Sequence, residues 1–127
     1  MTPVETVNSL IEAFERRDMG YILDHVSKNS LWQAPPTVPW GGKYIGPEGV
    51  KDFFTALAGN WEQTGFRINE QVADGYRVVT LGSFEGKGRK SGKSATSDFC
   101  WVWQVKDGMV TDFQGHFDSA AVVAALG

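Results

Sequence analysis

Polar and apolar positions alternate most strictly between Ser97 and Asp118, SDFCWVWQVKDGMVTDFQGHFD, where two apolar-rich runs flank Lys106-Asp107-Gly108. Successive side chains of a strand point to opposite faces, so Phe99, Trp101, Trp103 and Val105 share one face and Asp98, Cys100, Val102 and Gln104 the other. In the second run Thr111, Phe113, Gly115 and Phe117 alternate with Asp112, Gln114 and His116. Turn length decides how the two runs meet. A two-residue Asp-Gly loop sets Trp101 opposite Gln114, whereas a three-residue loop with Gly108 in the left-handed conformation sets Trp101 opposite Phe113. The longer loop is the expectation, because a one-residue slip would carry the polar set onto the apolar face. It aligns Phe99, Trp101, Trp103, Phe113 and Phe117 on one wall.

Upstream the period changes. Thr2-Pro3-Val4-Glu5 combines a capping hydroxyl, a proline at the first helical position and a glutamate at the third, and Val4, Val7, Leu10, Ile11 and Phe14 then recur at helical spacing to about Arg17. A second short helix opens at Asp18 with Met19, Ile22, Leu23 and Val26 as its apolar face; His25 beside it is more simply a hydrogen-bonded structural residue than a catalytic one. Ser30 to Ala34 reads as a short strand stopped by Pro35-Pro36. Thr37 to Gly46 is then a loop carrying Trp40 and Tyr44, either a lid or a connector whose Trp40 plugs the core edge. Gly46-Pro47 starts a third helix with Val50, Phe53, Phe54 and Leu57 on one stripe, ended by Gly59, and Trp61 follows. Strands are predicted at Phe66 to Ala73 and Tyr76 to Lys87 around Asp74-Gly75, and at Ser94 to Val105, and Asp118-Ser119 caps a last helix through Val122, Val123 and Leu126. The order implies one α+β domain over residues 1–127: a cone-shaped, curved antiparallel sheet packed on three N-terminal helices and open at one end.

Composition narrows the function classes. A net charge of -3 argues against a general nucleic-acid binder, and no apolar run approaches the roughly 20 residues of a membrane span. With Cys100 the only cysteine there is no internal disulfide, and the N-terminus lacks the basic and apolar regions of a signal peptide, so a cytoplasmic location is expected. Five Trp and eight Phe exceed what a plain core requires. A cleft at the open end of the cone, lined by Trp32, Trp40, Tyr44, Phe54, Trp61, Trp101, Trp103 and Phe117, suits a flat or apolar small molecule.

Acid–base candidates are few. Asp98 and His116 face each other in the expected register, as a general base and its orienting carboxylate would, but on the face away from the aromatic wall, where a cross-strand polar pair is the simpler role. Glu70 shares the phase of Phe66, Ile68 and Val72; if it points inward, burial would raise its pKa and suit it to proton transfer, whereas a bulge or strand end would turn it to water. The tip Gly86-Lys87-Gly88-Arg89-Lys90-Ser91-Gly92-Lys93-Ser94 invites comparison with a phosphate loop but has the wrong glycine spacing and joins two strands, so it reads as a charged hairpin end, the alternative being that its four basic residues steer an anionic substrate tail. His25 and His116 are the only histidines, with no metal-ligand spacing, so neither metal nor cofactor is expected.

Pro39-Trp40-Gly41-Gly42, Gly46-Pro47-Glu48-Gly49-Val50 with Phe53-Phe54, Val-Ala-Asp-Gly from Val72, and Trp-Gln-Val-Lys-Asp-Gly from Trp103 to Phe117-Asp118 resemble the nuclear transport factor two-like (NTF2-like) superfamily, in its SnoaL-like, ketosteroid isomerase-related branch. The resemblance covers nearly the whole chain. It implies a homodimer through the outer face of the sheet, and a protein that is an isomerase, lyase or cyclase working by general acid–base chemistry on a hydrophobic or aromatic substrate. The alternative is a non-catalytic ligand-binding or dimerisation domain whose cleft its own aromatics fill. The isomerase acids are missing: Ala34 stands where the general base belongs, Leu10 near the place of the phenol donor, and Cys100 and Trp101 on the strand of the second acid. Gly115 occupies the place where epoxide hydrolase-like members carry an acid.

Overall fold

Helix α1 (Pro3–Glu15) starts as its sequence dictates: Thr2 Oγ1 accepts from the Glu5 backbone N–H at 3.1 Å, and the Thr2 N–H donates to Glu5 Oε1 at 2.8 Å. Two otherwise orphaned amides of the first turn are thereby satisfied. The computed structural model describes residues 1–127, with the side chain of Gln63 excepted. After α1 come α2 (Met19–Asp24), β1 (Val26–Ala34), β2 (Gly42–Ile45), α3 (Gly46–Asn60), β3 (Trp61–Asp74), β4 (Arg77–Gly88), β5 (Ser94–Lys106), β6 (Met109–Phe117) and α4 (Ser119–Leu126). The six strands form one sheet in the order β2-β1-β6-β5-β4-β3. Helices α1 and α3 pack against it and α4 packs on β5 and β4.

The expected cone of helices under a curved sheet is present, with corrections. The sheet is mixed and not wholly antiparallel: β1 lies parallel to β6, with Trp32 beside Phe113, because the meander β3 to β6 returns to the free edge of β1 running in the same direction. The first helix stops at Glu15, two residues short of the expected end, because Arg17 turns into the left-handed region at φ 60°. Strand β1 starts at Val26, four residues before the expected Ser30, and β3 starts at Trp61, directly after α3, five residues before Phe66. Part of the loop from Thr37 to Gly46 is the edge strand β2, paired with β1 from Leu31↔Ile45 to Ala34↔Gly42.

The β5–β6 hairpin corrects the register. Its turn has two residues, Asp107 at φ 52° and Gly108 at φ 74°, both left-handed as a type I′ turn requires. A bulge between Gln104 and Val105 on one side and Val110 and Asp112 on the other then leaves Thr111 as an extra residue. Trp101 therefore faces Gly115, not Phe113, and Trp103 faces Phe113. Turn and bulge together shift the partners by two residues, so the faces survive: Phe99, Trp103 and Phe113 are buried on the concave side while Gln114 and His116 are exposed on the other.

Among the described residues no helix is long and apolar enough to cross a membrane. His25 is the C-cap of α2, with Nδ1 2.8 Å from the Tyr21 carbonyl and its ring stacked on Tyr21 at 4.1 Å, which is a structural role.

Candidate functional site

Period-two alternation on β1, β5 and β6 aims a set of aromatic rings at the helices, and these cannot fill the space between. A cavity of about 460 Å³ remains, bounded by Leu10, Ile11 and Phe14 of α1, by Phe53, Phe54 and Leu57 of α3, and by the concave face of the sheet. That volume lies within the roughly 300–1,000 Å³ of small-molecule sites.

Its floor is built around Trp32, which is 2% exposed. The ring lies 4.6 Å from Phe113, 5.8 Å from Phe54, 5.9 Å from Phe53 and 6.0 Å from Trp103, three of these contacts being edge-to-face. Edge-to-face packing sets the positive rim of one ring on the negative face of the next, which adds about 0.5–1.5 kcal/mol per pair beyond area burial and fixes ring orientation. The polar ends of both floor indoles are satisfied internally. Trp32 Nε1 donates to Ser30 Oγ at 2.9 Å, and Trp103 Nε1 to Thr80 Oγ1 at 3.2 Å, both acceptors being fully buried.

One side wall is Trp101, stacked on Phe99 at 3.9 Å with 15° between the planes and meeting Phe66 edge-on at 5.6 Å. The opposite wall is Trp40, 5.8 Å from Trp61 and 6.2 Å from Phe117. Trp61 lies flat on Gly86, where a Cβ would meet ring carbons at 2.7 and 2.8 Å, so only a residue without a side chain lets the indole sit there. Trp40 is buried, and its loop is pinned by Val38 N–H to Pro35 O at 3.3 Å, Gly41 N–H to Val38 O at 2.8 Å and the Tyr44 hydroxyl to Trp40 O at 3.0 Å.

Seven of the eight expected lining residues, Trp32, Trp40, Phe54, Trp61, Trp101, Trp103 and Phe117, border this cavity. Tyr44 does not: it packs edge-on against Phe53 at 5.4 Å and holds the Trp40 loop. The acid–base candidates all lie elsewhere. Glu70 is exposed, placed just past a bulge between Ile68 and Glu70 that turns it to water. Asp98 is exposed opposite Ser83 of β4, and His116 is exposed opposite Cys100 with Nε2 3.3 Å from Gln114 Oε1. The expected Asp98–His116 pair therefore does not form, for the same reason that Trp101 faces Gly115.

The charged groups that do border the cavity are Arg17, Glu62 and Arg89, all exposed, and with Ala58 and Thr64 they mark its opening. Glu62 pairs with Lys87 at 3.7 Å. Arg89 Nη2 donates to Ala58 O at 3.2 Å and Trp61 O at 2.9 Å, tying the end of α3 to the hairpin tip. Hydrophobic patterning could not find these three, because exposed charged residues carry no periodic signal. Ala34 and Gly115, where the resemblance set acids, both border the cavity. Among the described residues no three of His, Cys, Asp and Glu converge as metal ligands.

Comparison with known proteins agrees with this architecture. Residues 7–113 match the family model of the SnoaL-like domain. Patulin synthesis protein F of Aspergillus clavatus is 30% identical over 93 residues, which are 71% of this chain and 47% of that protein; the chain spans about half the length of the curated relatives it matches. An NTF2-like protein of unknown function from Burkholderia pseudomallei superposes with a TM-score of 0.91 at 28% identity, covering 99% of this chain and 98% of the other. TerC, crystallised with polyporic acid, superposes with a TM-score of 0.87 at 26% identity over 98% of this chain and 97% of its own. With a match from Val7 to Phe113 and the NTF2-like cone reproduced almost end to end, the chain belongs to the SnoaL-like domain family.

Proposed function

We propose that this protein binds one flat, largely apolar small molecule, of aromatic or polyketide-like character, in the cavity of the cone. The observation that carries the reading is an aromatic floor whose indole N–H groups are already bonded to Ser30 and Thr80. Such a floor offers ring faces and edges to a guest and asks no hydrogen bond of it. Ring faces reward a planar ligand by stacking and by removal of apolar surface from water, at roughly 25 cal/mol per Å².

A second reading, that the guest is isomerised or cyclised, draws support from the relationship to patulin synthesis protein F and from the Glu62 carboxylate at the opening. In this reading the cavity folds and desolvates the substrate, and Glu62 is the group placed to move a proton.

Titration with naphthoquinone and anthraquinone, followed by quenching of indole fluorescence, tests binding. Saturable quenching is expected in the wild type. Gly115→Leu should abolish it while leaving the fold intact, since a Cβ at Gly115 meets the Phe113 ring at 3.5 and 3.6 Å and the Gln33 carbonyl oxygen at 4.0 Å, all ordinary contacts, and Gly115 borders the cavity that the rest of the side chain would fill. Quenching that is unsaturable, or that survives Gly115→Leu, would overturn the reading.

A further inference from the structure

Helix α1 ends in a complete Schellman motif. The Arg17 N–H donates to Phe14 O at 3.1 Å and the Asp18 N–H to Ala13 O at 2.8 Å, with Arg17 itself at φ 60°. Glycine is the usual residue at that position because it alone enters the left-handed region without steric penalty. Here an arginine sits there, and strain held at one residue points to a use for its side chain.

The side chain goes to the cavity. Arg17 borders its opening, with Cζ 5.4 Å from the centroid of Phe14, itself a lining residue. The guanidinium has no carboxylate within ion-pair distance among the described residues. Its neighbour Asp18 is engaged by Arg16 at 3.3 Å and by the Tyr21 N–H at 3.0 Å, and Glu62 by Lys87. Arg89, the other cation at the opening, already donates to two carbonyls. The opening thus presents an uncompensated guanidinium at the edge of an apolar cavity.

We infer that Arg17 is the residue that selects ligands for a negative charge, so that the guest has a flat apolar body and one anionic end, a carboxylate or an enolate, left at the opening. This inference rests on the reading of the cavity as a binding site. A guanidinium meets a carboxylate through two parallel N–H···O bonds, and charge-assisted bonds of this kind are the stronger ones. Because the site is at the surface, the preference should be modest and sensitive to salt.

Isothermal titration calorimetry with 2-naphthoate and its neutral isostere 2-naphthamide, combined with urea unfolding, tests this. The wild type should bind the naphthoate about fivefold to tenfold more tightly than the amide, with the gap narrowing in high salt. Arg17→Met, which keeps the stem over Phe14, should lose that preference with little change in amide affinity. Arg17→Gly should lose it as well, and its urea midpoint should rise because the left-handed strain is gone. Equal wild-type affinities, or a preference unchanged in Arg17→Met, would overturn the inference and leave the cavity reading standing. A midpoint that falls in Arg17→Gly would overturn its strain argument. Binding of neither naphthalene would overturn the cavity reading and this inference together.

Discussion

Gly86→Ala tests the assembly of the cavity at its tightest point. The added Cβ would lie 2.7 Å from Trp61 Cε3, 2.8 Å from Cζ3 and 3.3 Å from Cδ2. Carbon atoms settle at about 3.5–4.0 Å, so the indole must retreat by roughly 1 Å. Trp61 is only 5% exposed, with Trp40 at 5.8 Å and Phe84 at 6.3 Å, so the free direction is into the cavity. Overpacking of this kind costs about 1–3 kcal/mol, offset by the ~0.5–1 kcal/mol that alanine gains over glycine within a strand. The net expectation is a loss of about 1–2 kcal/mol, or a fall in Tm of roughly 3–8 °C for a domain of this length. Affinity for a flat ligand should fall in the same variant. Urea unfolding followed by far-UV circular dichroism reads the stability, and a double-mutant cycle with Trp61→Leu reads the cause. Without the six-membered ring to strike, Gly86→Ala should become neutral or slightly stabilising, giving a coupling of about 1–3 kcal/mol. A Gly86→Ala cost that is the same in both backgrounds would refute the steric argument.

The remaining predictions concern the frame. Thr6 is fully buried on α1 and its hydroxyl has no hydrogen-bond partner among the described residues, so Thr6→Val should stabilise the fold by about 1 kcal/mol in the same urea assay; destabilisation would mean that the hydroxyl is satisfied after all. The Thr2 backbone N–H, and secondarily its hydroxyl, hold the Glu5 carboxyl below its ordinary 4.5. A depressed carboxylate contributes stability fully present above about pH 4.5 and lost as pH falls through its folded value, so the urea midpoint should drop less on acidification in Glu5→Gln than in the wild type. Parallel curves would remove the capping box from the acid response. Finally, we propose pairing of two copies across the outer face of the sheet, where Val72, 53% exposed, lies beside Val79 and Val79 beside Val102. Sedimentation velocity should show a dimer that Val79→Glu dissociates, and a wild-type monomer would end that proposal.

What the sequence made legible follows from how each signal arises. Strand faces were readable because period-two alternation is a local property, and Trp101, Trp103 and Phe113 could be set on one wall without knowing their partners. The partners were not readable, because the register depends on a bulge and nothing in Val110-Thr111-Asp112 marks Thr111 as the extra residue. The bulge also moved Asp98 away from His116. Strand β2 was missed for a related reason: Gly42-Lys43-Tyr44-Ile45 is four residues without alternating hydrophobicity, and it is a strand only because β1 lies beside it. The stop near Arg17 was readable from where the helical spacing ends, but the left-handed turn of Arg17 itself was not, since glycine signals that turn in a sequence and arginine does not. Ala34 and Gly115 show the reverse case: the resemblance set them where acids stand in relatives, and both do border the cavity.

These features divide the labour of the fold. Polar groups deep in the cone serve the frame, Ser30 and Thr80 each accepting a buried indole N–H, so removing either hydroxyl would strand a donor at about 1–3 kcal/mol and loosen the floor. Groups that can meet a ligand's charge or proton stand at the opening, on exposed positions at the ends of elements: Arg17 just past α1, Glu62 at the start of β3, Arg89 on a hairpin tip. Between the two lie Ala34 and Gly115, small residues on rigid strands facing the cavity. Because no core contact depends on a functional group at either position, side chains there can change without rebuilding the aromatic floor. The cone can therefore keep one apolar mould while the chemistry offered to its guest varies at its edge and at these two strand positions.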